Sequence, residues 1–238
     1  MKYIKQLIKE EYKKLIKEGF SLNIANTPLK KAIKYSQNEF KKANDNLYDV
    51  IPDFDKNYKY LQKQISFALD IPRIDMPVIE PDNMDSFYKD LLAGHIDIFK
   101  PYALDGEYYP KNLKPGEDAD KWLSLGQMDF NNTDDIVKGK WTKMPAKKLK
   151  PTQSEIWLEN IIPSIIKFGV PTDSSPIVKA VLIVSKEGYI IDGHHRYAQA
   201  IIANPSLKMN VLYIPLDIDT LLKMGRSYGN AKGNKQKQ

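Results

Sequence analysis

Asp192-Gly193-His194-His195-Arg196 is the stretch of this chain in which residue types and spacing point to chemistry. Two of the three histidines in the sequence stand side by side there, between a strand-like run, "YIID", and a helix-like run, "YAQAIIA". A strand that ends at a glycine turn and feeds directly into a helix gathers unpaired backbone N–H groups at one point, and the helix dipole adds partial positive charge. Anions bind at such a point. Gly193 lets the backbone approach a ligand with no Cβ in the way. Arg196 supplies a planar, permanently charged fork suited to phosphate oxygens. His194 and His195 can each donate a hydrogen bond or, near neutral pH, carry extra positive charge. The plainer reading makes Asp192 an N-cap, Arg196 part of a solvated helix face and one histidine a buried residue satisfied by a carbonyl. Capping needs none of the three residues after Gly193, so the whole set reads as a phosphate cradle.

Adjacent histidines also raise the question of a metal. Successive residues at a helix start point in different directions, whereas helical ligand pairs are spaced about four apart, so zinc is not expected. A divalent ion carried in by a nucleotide, with Asp192 or Glu155 and phosphate oxygens as its ligands, fits better, and Mg²⁺ is the expected ion.

The elements that must position this turn are readable around it. With 238 residues, 42% of them hydrophobic, the chain can bury a core and is too apolar for wholesale disorder. Met1–Phe20 carries Ile4, Leu7, Ile8, Tyr12, Leu15 and Ile16 at helical spacing. A second helix is predicted from Pro28 to about Tyr48, and a third from Pro52-Asp53 to about Leu69. "DIPRIDMPVIEPDNMD" lacks a helical period and reads as an extended connector, with Asp70–Pro81 as candidate boundary and a short helix over Met84–Leu92. His95 follows a glycine after that helix and reads as a structural histidine. Residues 96–126 are irregular, with one short helix expected around Ala119–Leu125.

From Ile136 the pattern changes. "IVKGKWTKMPAKKL" alternates like a strand, "SEIWLENIIPSIIKFG" is helical up to Gly169, and "PIVKAVLIVS" reads as a buried strand. Lys186-Glu187-Gly188 makes a turn, "YIID" a second strand, His194–Ala203 a helix, "MNVLYIPL" a further strand and Asp217–Met224 a closing helix. The expected fold class is α+β: a helical region over 1–80, an irregular and helical connection over 81–135, and a small mixed sheet with helices over 136–224. A mobile basic tail over 225–238 completes it, since its glycines, lysines and glutamines cannot bury a core.

Composition closes several routes. Without cysteine there is no disulfide, no thiolate nucleophile and no cysteine-based metal site. A net charge of +6 suits phosphate-bearing partners but falls short of a strong nucleic-acid signature. The charged first twenty residues contain neither a signal peptide's apolar core nor a membrane span, so a cytoplasmic setting is expected.

In order, "MPAKKLKPTQ", a helix ending in "FG", "PIVKAVLIVSKEGYIIDGHHRYAQAI" and a strand resemble the ParB/sulfiredoxin-like superfamily, over roughly Ile136–Met224. In that superfamily an extended segment and a helix precede a strand hairpin closed by a Gly-x-x-Arg phosphate-binding turn. Sulfiredoxins need a cysteine where this chain has His194, which excludes their activity. The partition proteins append a helix-turn-helix domain, for which the residues after Met224 are too few, so partitioning is not expected. The Asp-Gly-His-His-Arg string is that of the free-serine kinases of this fold. There the resemblance implies that the aspartate and a glutamate directly after Lys-Pro-x serve the substrate hydroxyl, while Gly193, His194, His195 and Arg196 hold nucleotide phosphates. Here Lys150-Pro151-Thr152 is followed by Gln153, which cannot act as a general base. Glu155, two residues on, is the substitute to look for.

The expected function is therefore a nucleotide-binding enzyme that hydrolyses or transfers phosphate from ATP or a related nucleotide with Mg²⁺. Asp192, His194, His195 and Glu155 are the candidate catalytic residues, Asp192 also the metal ligand, and Lys150, Thr152 and Gln153 the opposite wall. A small molecule or protein would accept the phosphate, and the N-terminal helices could cover the site or make an oligomer. The rival is a ParB-like DNA-binding protein or nuclease, or a non-catalytic binding module, favoured by "KGKWTKMPAKKLK" and the lysine tail. The cysteine-free, lysine-rich composition is also similar to that of small phage-encoded proteins.

Overall fold

The computed structural model of the chain describes residues 21–98, 123 and 131–234. The predicted helix over Met1–Phe20 lies outside them, as does all but Leu123 of the one expected around Ala119–Leu125.

Helix α1, Leu29–Lys42, starts after Pro28 and turns Ala32, Ser36 and Phe40 inward at four-residue spacing. It stops well short of the predicted Tyr48. Asn44 adopts a left-handed φ of 61° and Asn46 caps a new turn, α2 (Leu47–Val50), by accepting from the Tyr48 amide at 3.0 Å. Asparagine tolerates left-handed backbone and competes for helix caps, which is why "NDN" breaks the periodic run. Helix α3, Phe54–Ile65, buries Phe54, Tyr58, Leu61 and Ile65 along one stripe and ends before the predicted Leu69.

The sheet has four strands: β1 (Lys140–Pro145), β2 (Leu182–Val184), β3 (Ile190–Asp192) and β4 (Lys208–Tyr213), in spatial order β1-β4-β2-β3. β1 is antiparallel to β4, β4 parallel to β2, and β2 antiparallel to β3. The fold class is α+β, with helices before and between these strands. "PIVKAVLIVS" is not one strand. Ser175-Pro176 opens a helical turn, α6 (Pro176–Lys179), because proline's fixed φ suits a first helical position, and β2 begins only at Leu182.

Period-2 alternation sends neighbouring side chains to opposite faces. Leu182, Val184, Ile190 and Val211 join a core with α1, α3, α5 (Leu158–Phe168) and α7 (His194–Ala203). Ile183, Ile191 and Leu212 join a second core with α4 (Met84–Ala93) and α8 (Ile218–Ala231). The early helices are tied to this arrangement by polar bonds as well: the Asn57 side-chain amide donates to the Ile202 carbonyl at the end of α7, at 2.9 Å. His95 sits at the surface with its Nδ1 2.9 Å from Asp90.

The expected tail requires correction. α8 continues past Met224 to Ala231, and Gly225, Ser227, Tyr228, Gly229 and Ala231 are buried. Gly225 and Gly229 lie one turn apart and receive the chain at Pro77-Val78; a Cβ on Gly229 would meet the Val78 carbonyl oxygen at 2.7 Å. Tyr228 meets Phe87 edge-on with centroids 4.9 Å apart. Glycines that read as a disordered tail are the groove that seats the connector. Among the described residues no helix is long and apolar enough to cross a membrane.

Candidate functional site

The β3-to-α7 turn is placed by apolar residues on both sides of it. Ile190 and Ile191 are fully buried on opposite faces of the sheet, and Tyr197, Ala198, Ile201 and Ile202 anchor α7. Between them Gly193 is the N-cap of α7 at φ 97°, ψ 24°. A Cβ at Gly193 would overlap Leu182 Cδ2 and stand 2.7 Å from Arg196 Nη2. Glycine at this position has no side chain with which to cap α7. The Asp192 carboxylate accepts from Arg196 Nη2 at 2.6 Å, folding the guanidinium back over Gly193. Its partner is thus Arg196 and not a first-turn amide of α7.

His194 is buried and turned towards the loop after Lys150. Its Nε2 accepts from the Thr152 amide at 3.1 Å, while the Thr152 hydroxyl donates to the Ile190 carbonyl at 2.7 Å. With Nε2 accepting, the neutral ring carries its proton on Nδ1. Burial, with His195 and Arg196 nearby, pulls the His194 pKa down to about 3. Burial and then the Arg73 charge pull His195 down to about 4, and His195 Nε2 has no hydrogen-bond partner among the described residues. Both rings are neutral at pH 7. The expectation of extra positive charge from the histidines is therefore corrected: they can donate hydrogen bonds, and the cations come from elsewhere.

Asp192, Gly193, His194, His195, Arg196 and Gln153 all line one cleft of about 590 Å³. Its far wall is the connector predicted as a boundary. That segment is extended apart from single turns at Arg73–Asp75 and Pro81–Asn83. It is held by the Ile71 amide on the Thr152 carbonyl at 3.1 Å, by Arg226 Nε on the Asp75 carbonyl, and by Asn234 on the Val78 carbonyl at 3.0 Å. It brings Arg73 and Glu80 to the cleft, which Lys179 at the end of α6 and Trp141 on β1 also line.

Three expected residues stand elsewhere. Glu155 accepts the Arg73 amide at 3.2 Å and does not line the cleft. Lys150 pairs through its backbone with Gly188 and Ile190, and its exposed ammonium lies 5.1 Å from the centre of the Tyr189 ring. Thr152 is fully buried behind His194. Gln153 lines the cleft with its amide donating to the Glu155 carbonyl at 2.9 Å.

Burial raises the Asp192 pKa; Arg196 opposes that rise and Glu80 adds to it. The side chain keeps 25% exposure and pairs with Arg196 at 2.6 Å. Among the described residues no three His, Asp or Glu side chains converge to hold a metal ion.

The sequence reading missed Arg73, Glu80, Lys179 and Trp141. A signal was available for one of them. Only three of the 36 cationic residues are arginine, namely Arg73, Arg196 and Arg226. Two of these line the cleft and the third clamps the wall behind it. Compared with protein-family models, with curated proteins and with solved structures, the chain matches none.

Proposed function

We propose that the chain binds a nucleoside di- or triphosphate at the β3–α7 turn and hydrolyses or transfers its terminal phosphoryl group. The observation that carries this reading is Arg196 folded over a left-handed Gly193 in the cleft, at the N-terminus of α7. Backbone N–H groups, a helix N-terminus and a guanidinium fork at one point are complementary to phosphate oxygens. Arg73 and Lys179 add charge along the same cleft.

Phosphoryl transfer asks the protein mainly for positioning and charge neutralisation. A hydroxyl or water oxygen attacks the terminal phosphorus, the bond to the bridging oxygen breaks, and the nucleophile's proton passes to a base. Asp192 is that base: paired with Arg196, and more basic than an exposed aspartate because of its burial. His194 Nδ1–H is a donor for the developing charge. Gln153 cannot supply a second carboxylate, and Glu80 on the connector, close enough to raise the Asp192 pKa, takes that place. Asp192 and Glu80 are also the residues that would hold a Mg²⁺ ion carried in with the phosphates, since Mg²⁺ needs one or two carboxylates and keeps waters otherwise. Such an ion neutralises phosphate charge. The ParB/sulfiredoxin-like reading is supported by the hairpin, glycine turn, helix and parallel strand in that order.

The test is equilibrium binding and phosphate release with ATP, ADP and CTP plus Mg²⁺, for the wild type and Arg196→Ala, across a salt series. Saturable binding lost on substitution is expected. The reading is overturned if no nucleotide binds, if Arg196→Ala binds unimpaired, or if only DNA binds with steep salt dependence.

A further inference from the structure

We infer that Trp141 is the stacking platform for the base of the bound nucleotide, so that the cleft takes the base at its β1 end and the phosphates at the α7 end. This rests on the phosphate reading above and places the half of the ligand which that reading leaves open.

The register sets the geometry. Trp141 is opposite Leu212, Leu212 lies beside Ile183, and Ile183 is opposite Asp192, so one row crosses all four strands. Three inter-strand steps separate the ends of that row by roughly 14 Å. That is the scale of an extended nucleotide from base to terminal phosphate. Both ends line the same cleft, whose 590 Å³ falls within the range of small-molecule sites, about 300–1,000 Å³. The same cleft is lined by the apolar Val78, Val181 and Ile191, which suit a sugar, and by Lys179 and Arg73.

Trp141 is 42% exposed although its neighbours in the row, Leu212 and Ile183, are fully buried. Its orientation is fixed: Tyr88 meets it edge-to-face with centroids 5.5 Å apart at 81°, and the Tyr88 hydroxyl donates to the Gly139 carbonyl at 3.2 Å. That contact holds the indole at the β1 end of the cleft, where its exposed surface is available to a planar ring. Stacking of this kind tolerates any base and favours the larger purines. A second hollow of about 310 Å³ adjoins the other side of Arg196, lined by Phe168, Pro176, Ile177 and Gln199. It has no charged side chain besides Arg196, and the Phe168 ring already has Lys167 Nζ 5.0 Å from its centre. Phe168 therefore serves as the control.

The experiment measures affinity for Mg-ATP and for Mg-bound inorganic triphosphate with wild type, Trp141→Ala, Trp141→Phe and Phe168→Ala. Trp141→Ala is expected to weaken ATP about tenfold to a hundredfold and to leave triphosphate unchanged. Trp141→Phe should recover most of the loss, and Phe168→Ala should match the wild type. Triphosphate binding doubles as the check that each variant is folded. The inference is overturned if Trp141→Ala leaves ATP unaffected or weakens both ligands equally, or if Phe168→Ala is the variant that loses ATP alone. It is also overturned if the wild type binds triphosphate as tightly as ATP, an outcome that leaves the phosphate reading intact. If the wild type binds neither ligand, the phosphate reading fails first and the platform with it.

Discussion

Asp192 and Arg196 lie one helical turn apart and meet across Gly193 at 2.6 Å. Each side chain keeps about a quarter of its surface exposed, 25% and 22%, so water screens the pair. A pair partly screened in this way contributes modestly to stability, about 1 kcal/mol. Its significance lies in position, because it holds a guanidinium over the N-terminus of α7 beside a carboxylate of raised pKa.

Arg196→Ala should therefore separate stability from binding. The melting temperature is expected to fall by no more than about 4 °C. Nucleotide affinity is expected to fall about tenfold or more, the worth of a hydrogen bond to a charged group. Arg196→Lys should not restore it, since an ammonium lacks the fork that engages two oxygens. Calorimetry and binding on the same samples check both halves; a large loss of stability with unchanged affinity would make Arg196 a structural residue only.

Gly193→Ala should lose stability as well as nucleotide affinity, since the added Cβ would also stand 2.7 Å from Arg196 Nη2. The φ of 97° is strained for any L-residue, and the added Cβ overlaps Leu182 Cδ2 on β2. Backbone strain and overpacking together cost about 2–4 kcal/mol, a fall in melting temperature of roughly 4–16 °C. Urea midpoints measure it. A variant as stable as the wild type would show that the turn does not need its left-handed conformation.

The turn was legible because its signals are local: a strand, a glycine, a helix start and charged residues within five positions. His194–Ala203 is helical over the predicted span. The far wall was illegible for the opposite reason. Arg73 and Glu80 reach the cleft because α8 grips the connector through Gly225, Gly229, Arg226 and Asn234, about 150 residues later in the chain. No local pattern marks a glycine as a seat for distant backbone, and the same glycines with nearby lysines and glutamines read as disorder. Glu155 was placed by its spacing from Lys150-Pro151, but the loop turns its carboxylate to the Arg73 amide, away from the cleft. Trp141 looked like one residue of an alternating edge strand; its place at the cleft mouth depends on the β1-β4-β2-β3 order, which alternation does not encode.

Acid should destabilise the fold through the two buried histidines. Their folded pKa values, about 3 for His194 and about 4 for His195, lie below the unfolded value of about 6.5. Below pH 6.5 the unfolded chain binds protons that the folded chain refuses. The stability contributed by the neutral rings is thus whole above that pH and is lost as pH falls towards the folded values. Each histidine accounts for up to about 1.4 kcal/mol per pH unit. Asp192, with its raised folded pKa, works in the opposite sense and reduces the net slope. Urea unfolding from pH 7.5 to 4.5 measures the slope, and His194→Gln, which keeps an acceptor for the Thr152 amide, should flatten it. An unchanged slope in that variant would rule out His194 as the source.

Gly229→Ala tests the grip on the wall. In a helix interior this substitution ordinarily stabilises by about 1 kcal/mol, because alanine is the better helix former. Here the new Cβ would meet the Val78 carbonyl oxygen at 2.7 Å, and backbone cannot swing aside as a side-chain end can. The helix and the connector must separate, loosening Tyr228 from Phe87 and Asn234 from Val78 and shifting Glu80 and Arg73 relative to Asp192. Overpacking of this kind costs about 1–3 kcal/mol, so the melting temperature should drop by roughly 2–12 °C. Nucleotide binding should weaken in parallel even though residue 229 does not line the cleft. A rise in melting temperature with affinity unchanged would mean that α8 packs less closely on the connector than this arrangement requires, and that the wall is held by Arg226 and Asn234 alone.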